Sequence, residues 1–196
     1  MTMRRGAMLL ALLGAAALSG RALAADAAMP KVTLQTTMGD IVLELDPVHA
    51  PAGVANFLSY VKDGTFDNTL FYRVVPGFVI QGGTYGADGS GRVTRPPIPL
   101  EANNGLKNLR GALSYARGDD PVSAQAEFFI VLVDNPGLDH DPNDPGNNSG
   151  YAVFGHVAAG MDVVDKIAGV ELGGDGPFPG AAPKTQVIVK KAVVTP

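Results

Sequence analysis

Short runs of alternating apolar and polar residues, each broken off by glycine or proline, leave few folds open to this chain. Lys31 to Thr36 reads KVTLQT, with Val32 and Leu34 set against polar neighbours. Ile41 to Leu45 reads IVLEL. Thr37-Met38-Gly39-Asp40 lies between them, and the two runs around that short glycine turn predict a hairpin. Further extended runs are Thr69 to Val75, Phe78 to Gln81, Ala112 to Ala116, Glu127 to Val133, Ala152 to Val157 and Gln186 to Val194. Two segments keep a helical period instead. Pro51 suits a first helical turn, Val54, Phe57, Leu58 and Val61 make one apolar stripe, and Gly64 ends it. Met161 to Ala168 places Val164, Ile167 and Ala168 on one face, with Gly169 just beyond. About eight short strands and two helices in one domain predict a barrel or a sandwich. In a barrel the two helices would plug the open ends.

Glycine (25) and proline (15) make up about a fifth of the 196 residues. That share disfavours long helical bundles, yet falls short of the roughly 25–30% typical of disordered chains. Hydrophobic residues at 46% supply a core for one domain. The absence of cysteine excludes disulfides, a thiol nucleophile and a thiolate metal site. A net charge of −4 argues against a nucleic-acid partner.

The first two dozen residues look like an address. Arg4 and Arg5 precede an uncharged run, Ala7 to Leu18, which is too short for the roughly 20 residues of a membrane span. Ala22-Leu23-Ala24 then forms an A-x-A cleavage pattern. Residues 1–24 are therefore expected to be a secretory signal, and 25–196 the mature domain, periplasmic and without a membrane anchor. Cleavage removes Arg4, Arg5 and Arg21 and so takes the formal charge from −4 to −7.

Phe71 to Gly83 reads FYRVVPGFVIQGG. With Asn104 to Asn108, Phe128-Phe129-Ile130, Tyr151 to Gly155 and Gly160 to Val164, it resembles the cyclophilin-type peptidyl-prolyl cis-trans isomerases over residues 31 to 195. The exported bacterial members are the most similar. The resemblance implies a closed eight-stranded antiparallel β-barrel capped by two helices. It also implies an isomerase acting on proline-containing polypeptides, a monomer, with no cofactor and no metal. Arg73 is then the catalytic donor, and Gln81 holds the substrate carbonyl or orients Arg73. Phe78, Val79, Phe129 and Leu138 form the pocket for the proline ring. Ala116 and Arg117 grip the peptide backbone, and Tyr151 sits on the rim. Strand alternation independently puts Val79 with Gln81, and Glu127 with Phe129, leaving Ile80 and Phe128 for the core.

Three residues depart from the family pattern. Glu127 stands where many members have Gln, Gly137 where many have a large aromatic, and Val79 where many have Met. These bear on peptide preference and on cyclosporin-type inhibitor binding. Glu127, beside Phe129 on the substrate face, has three options: pairing with Arg73, with Arg117, or with neither. A non-catalytic peptide-binding module or holdase on the same fold is the alternative function.

Other constellations are weaker. Asp139 to Asp144 looks like the start of a calcium loop, but Asp144 and Gly150 occupy the places that require Gly and Glu. A solvated insertion loop is the better reading of Asp139 to Asp144, within the long loop from Asn135 to Gly150. The glycines of Gly86 to Gly91 precede no helix, so they form no phosphate cradle. His49, His140 and His156 are scattered, and no G-x-S-x-G marks a hydrolase.

Overall fold

The computed structural model describes residues 29–143 and 149–195. The signal segment 1–24 and Asp144 lie outside the described residues. Eight strands follow in order: β1 (Lys31–Thr36), β2 (Gly39–Leu45), β3 (Thr69–Val75), β4 (Val79–Gly86), β5 (Ala112–Tyr115), β6 (Phe128–Val131), β7 (Val153–Ala159) and β8 (Ile188–Thr195). Helix α1 (Pro51–Lys62) follows β2, and α2 (Met161–Ala168) follows β7. The strands close into a barrel in the order β1-β2-β7-β5-β6-β4-β3-β8, every pair antiparallel, with β8 returning to β1. The expected barrel is therefore the one that forms.

The period-2 residues fill its interior. Val32 and Leu34 of β1, Ile41, Leu43 and Leu45 of β2, Ile80 of β4 and Phe128 of β6 belong to one buried cluster. Phe57 of α1 packs at its centre, with ring centroids 5.0 Å from Phe66, 5.2 Å from Phe154 and 5.4 Å from Phe128. Val163, Val164 and Ile167 bring α2 into the same cluster. The helical face is shifted slightly from expectation, with Val163 buried and Ala168 only partly so.

Distant residues complete α1. Ala50 precedes it and offers no side-chain cap. The Glu101 carboxylate does that work, accepting the N–H groups of Ala52 (3.0 Å) and Gly53 (2.8 Å). A negative group at a helix start is favoured by the unpaired donors there. The bond also anchors the long excursion between β4 and β5 to the barrel.

Two departures from simple alternation build the site. First, β4 runs to Gly86, whereas a strand ending at Gln81 was expected. Gly82 and Gly83 read as loop formers, but they are where β4 squeezes between its neighbours. A Cβ at Gly82 would lie 2.8 Å from the Leu70 carbonyl oxygen, and one at Gly83 would lie 2.4 Å from that of Ala126. Second, Phe71 faces Gly82 while Arg73 faces Gln81, so β3 carries one extra residue, Tyr72, against β4. This is a β-bulge, which re-aims the side chains around it. Phe71 and Val74 both point into the core. Tyr72 and Arg73 both point out of it, toward Gln81.

Candidate active site

The outward faces of β4 and β6 carry a second, smaller apolar cluster. It contains Val79, Ala112, Ala116, Phe129, Val131, Leu138 and Val153, with Phe78 and Tyr151 packed against it. Alternation explains the split: Ile80 and Phe128 face inward, and Val79 and Phe129 face this cluster. Phe78 is delivered by a turn in which its N–H bonds the Val75 carbonyl at 3.0 Å. Pro76 and Gly77 occupy the central places, Gly77 with φ +71°, the arrangement that favours Pro then Gly. Leu138 comes from a short 3-10 turn, Pro136–Leu138, inside the segment read as a long loop. Asp139 pins that turn by accepting the backbone N–H (2.8 Å) and Nδ2 (3.0 Å) of Asn108.

Over this cluster lies a cavity of about 450 Å³. Its lining brings together every expected site residue: Arg73, Phe78, Val79, Gln81, Ala116, Arg117, Glu127, Phe129, Leu138 and Tyr151. Gly137 is not part of the lining, although its neighbour Leu138 is. A second hollow of about 320 Å³ continues from the first, sharing Ala116, Arg117, Gly118 and Glu127.

Arg73 stands at the cavity edge. Its Nη1 donates to Gln81 Oε1 at 3.0 Å. Gln81 is 8% exposed, and its Nε2 donates to the Tyr72 hydroxyl at 2.6 Å. Burial pushes the Tyr72 hydroxyl well above the usual phenol range, and the Glu127 charge beside it pushes it further. The hydroxyl therefore keeps its proton.

The three options for Glu127 now reduce to one. Among the described residues it makes no ion pair with Arg73 or Arg117, and its Oε1 instead accepts the Thr84 hydroxyl at 2.6 Å. The Arg117 side chain is also occupied. Its Nε donates to the Gly150 carbonyl at 3.0 Å, Nη1 donates to that of Gly118 at 2.9 Å, and Cζ lies 4.7 Å from the Tyr151 ring centroid. Tyr151 in turn meets Phe129 edge-on at 5.6 Å.

Sequence reasoning missed two residues. Tyr72 was passed over, although a signal existed: strict alternation cannot send Phe71 to the core and Arg73 to a site unless a residue between them is extra. Phe178 was also missed. It lies on the Gly- and Pro-rich connection between α2 and β8, which carries no period. Its ring stacks on Tyr72 (6.0 Å, 19°) and lies 5.7 Å from Arg73 Cζ, forming a far wall of the cavity.

An apolar hollow on the outer wall of a closed barrel, edged by a fixed guanidinium, is the arrangement of a cyclophilin-type isomerase. The family profile for the cyclophilin type peptidyl-prolyl cis-trans isomerase/CLD matches residues 31–194. Over 163 residues the chain is 44% identical to peptidyl-prolyl cis-trans isomerase A of Dickeya dadantii, covering 83% of this chain and 84% of that one. Over 164 residues it is 46% identical to peptidyl-prolyl cis-trans isomerase B of Escherichia coli, covering 84% and 99%. A cyclophilin-type isomerase of Cryptosporidium parvum, crystallised in the presence of the dipeptide Ala-Pro, matches with a TM-score of 0.71 at 26% identity, covering 85% of this chain and 99% of that one. The chain belongs to the cyclophilin-type peptidyl-prolyl cis-trans isomerase family.

The aromatic wall supplies a direct expectation. Phe178→Ala removes a cation–π contact, worth about 0.5–1 kcal/mol at an exposed site. Catalytic efficiency (kcat/KM) on an Xaa-Pro peptide is expected to fall about twofold to fivefold. The unfolding midpoint should stay close to that of the parent chain, since Phe178 is 45% exposed.

Proposed function

We propose that this chain accelerates rotation about Xaa-Pro bonds in exported polypeptides, working as a periplasmic monomer after removal of residues 1–24. The observation that carries the reading is Arg73, held by Gln81 at the edge of an apolar cavity large enough for a proline ring. The uncatalysed barrier is about 18–20 kcal/mol, because resonance stiffens the C–N bond. In the twisted state resonance is lost, and the prolyl nitrogen becomes pyramidal and regains a lone pair. A donor aimed at that nitrogen binds the twisted state better than either planar one, which lowers the barrier. Arg73 is that donor. Phe78, Val79, Phe129 and Leu138 hold the ring. Ala116 and Arg117 border both hollows, so a peptide laid along them sets its proline in one and a neighbouring residue over the other. No bond is made or broken, so the chemistry requires no nucleophile, metal or cofactor. A pure binding module would need the hollow but not a fixed cation beside it.

The cavity lining contains no histidine, the side chain that ordinarily titrates near neutrality, and arginine stays charged to above about pH 12. Turnover in a protease-free isomerisation assay is therefore expected to be nearly flat from about pH 6 to 9, and insensitive to chelators. A bell-shaped profile centred near neutrality would replace this mechanism with acid–base chemistry. Peptide binding without acceleration would establish the holdase instead. Sequencing of protein from the periplasmic fraction is expected to begin at Ala25, and intact Met1 in a membrane pellet would overturn export.

A further inference from the structure

The Gln81 amide is bonded on both sides, and its oxygen and nitrogen must each meet a matching partner. A guanidinium only donates, so the amide oxygen must face Arg73, as it does at 3.0 Å. The amide nitrogen then faces Tyr72 and donates to its oxygen at 2.6 Å. The phenol has one hydrogen left to give, and Glu127, which lines the same cavity as Arg73 and Gln81 and whose charge acts on that hydroxyl, only accepts. Thr84 donates to the same carboxylate at 2.6 Å. The two bonds run the same way, from Arg73 to Gln81 and from Gln81 to Tyr72, which leaves the Tyr72 hydrogen for Glu127.

We propose that Tyr72 and Glu127 are positioning residues that fix the sense of this row, keeping Gln81 Oε1 toward Arg73 and so keeping the guanidinium aimed at the prolyl nitrogen. This rests on the isomerase reading of the cavity. The β-bulge makes the row geometrically possible. It puts Tyr72 and Arg73 on the same side of β3, one on each side of Gln81. Burial protects the row from competing water, since Tyr72 is 2% exposed and Gln81 8%. Tyr85 holds the Tyr72 ring edge-on at 4.7 Å, and Phe178 stacks on it. A terminal carboxylate is what makes the sense unique. An amide at position 127 can donate as well as accept. Tyr72 is then free to turn its hydrogen to Gln81, which flips, and two donors face each other at Arg73.

The test is a double-mutant cycle read by the on-enzyme cis–trans rate, measured by NMR exchange on a saturating Xaa-Pro peptide, with the dissociation constant read separately. Tyr72→Phe is expected to lower the on-enzyme rate about fivefold to tenfold, the scale of one buried hydrogen bond, with affinity changed less than about twofold. Glu127→Gln is expected to lower the rate in the same sense, within about tenfold on neutral peptides. The double variant should be no slower than Tyr72→Phe alone, because Glu127 acts through that hydroxyl. In the side-chain amide spectrum, the Gln81 NH2 signals should shift in both Tyr72→Phe and Glu127→Gln. Multiplying rate losses, or a Glu127→Gln effect confined to affinity for basic peptides, would overturn the proposal. Failure of the isomerase reading is distinguishable, because the parent chain would then show no rate at all while the Gln81 signals still reported the row.

Discussion

Arg73→Ala is expected to lower kcat/KM by about 10²–10³, or about 2.7–4 kcal/mol of barrier, while leaving the barrel folded. That is the usual cost of deleting one preorganised donor aimed at a transition state. The fold should survive because the guanidinium lies outside the barrel core. Its side-chain contacts among the described residues are one bond to Gln81 and the ring of Phe178. Binding of a Pro-containing peptide should change far less than turnover, because the apolar ring contacts are untouched. Arg73→Lys should restore little. Lysine keeps the charge but presents a mobile point donor in place of a rigid fork, and it cannot bond Gln81 and aim at the nitrogen with the same fixed geometry. Matched rates and dissociation constants for the three proteins, with an unfolding curve for each, check the expectation. An alanine variant as fast as the parent chain would remove Arg73 from the mechanism.

The largest structural effect should come from Gly83→Val. Gly83 has φ +122°, where side-chain-bearing residues are strained. Any Cβ there would also lie 2.4 Å from the Ala126 carbonyl oxygen, a backbone atom that cannot step aside without moving the chain leading into β6. Strain and overpacking each cost about 1–3 kcal/mol. The sum is a large part of the roughly 5–15 kcal/mol that stabilises a typical domain. The thermal midpoint should fall by roughly 5–20 °C, and activity should fall with it, because β4 carries Gln81 and Val79. Gly77→Ala supplies the contrast. Its φ is +71°, but a Cβ there meets nothing within 4 Å, so only the left-handed penalty of about 1–2 kcal/mol applies. Equal losses for the two would rule out the close approach at Gly83 as the cause.

Much of the barrel was legible because its strands obey a period of two and its helices one of 3.6. β1, β3 and α2 have the bounds that their patterns predict, and α1 starts at the expected Pro51. The pattern failed where backbone approached backbone. Gly82 and Gly83 have the composition of a loop and sit in the most crowded strand of the site. Tyr72 was hidden because a bulge has no compositional mark, only a parity conflict between Phe71 and Arg73. Partners far apart in sequence carry no local signal at all. Glu101 at the start of α1, Thr84 against Glu127 and Phe178 against Arg73 are of that kind. The site was legible only through ordered motifs. Arginine, glutamine and phenylalanine on short strands are ordinary residues until the fold sets them around one cavity.

The ring of strands bears on the company such a molecule keeps. β1 pairs with β2 on one side and β8 on the other, so no strand is first or last. Unfolded chains are sticky largely because an unpaired strand can extend itself along any row of free amides and carbonyls. A closed ring offers no such row. A partly folded polypeptide touching this surface finds rings and loops to rest against, but no template along which to grow a sheet. Its contacts are therefore local ones, broken one at a time, and it can leave as a single chain rather than as the seed of an aggregate.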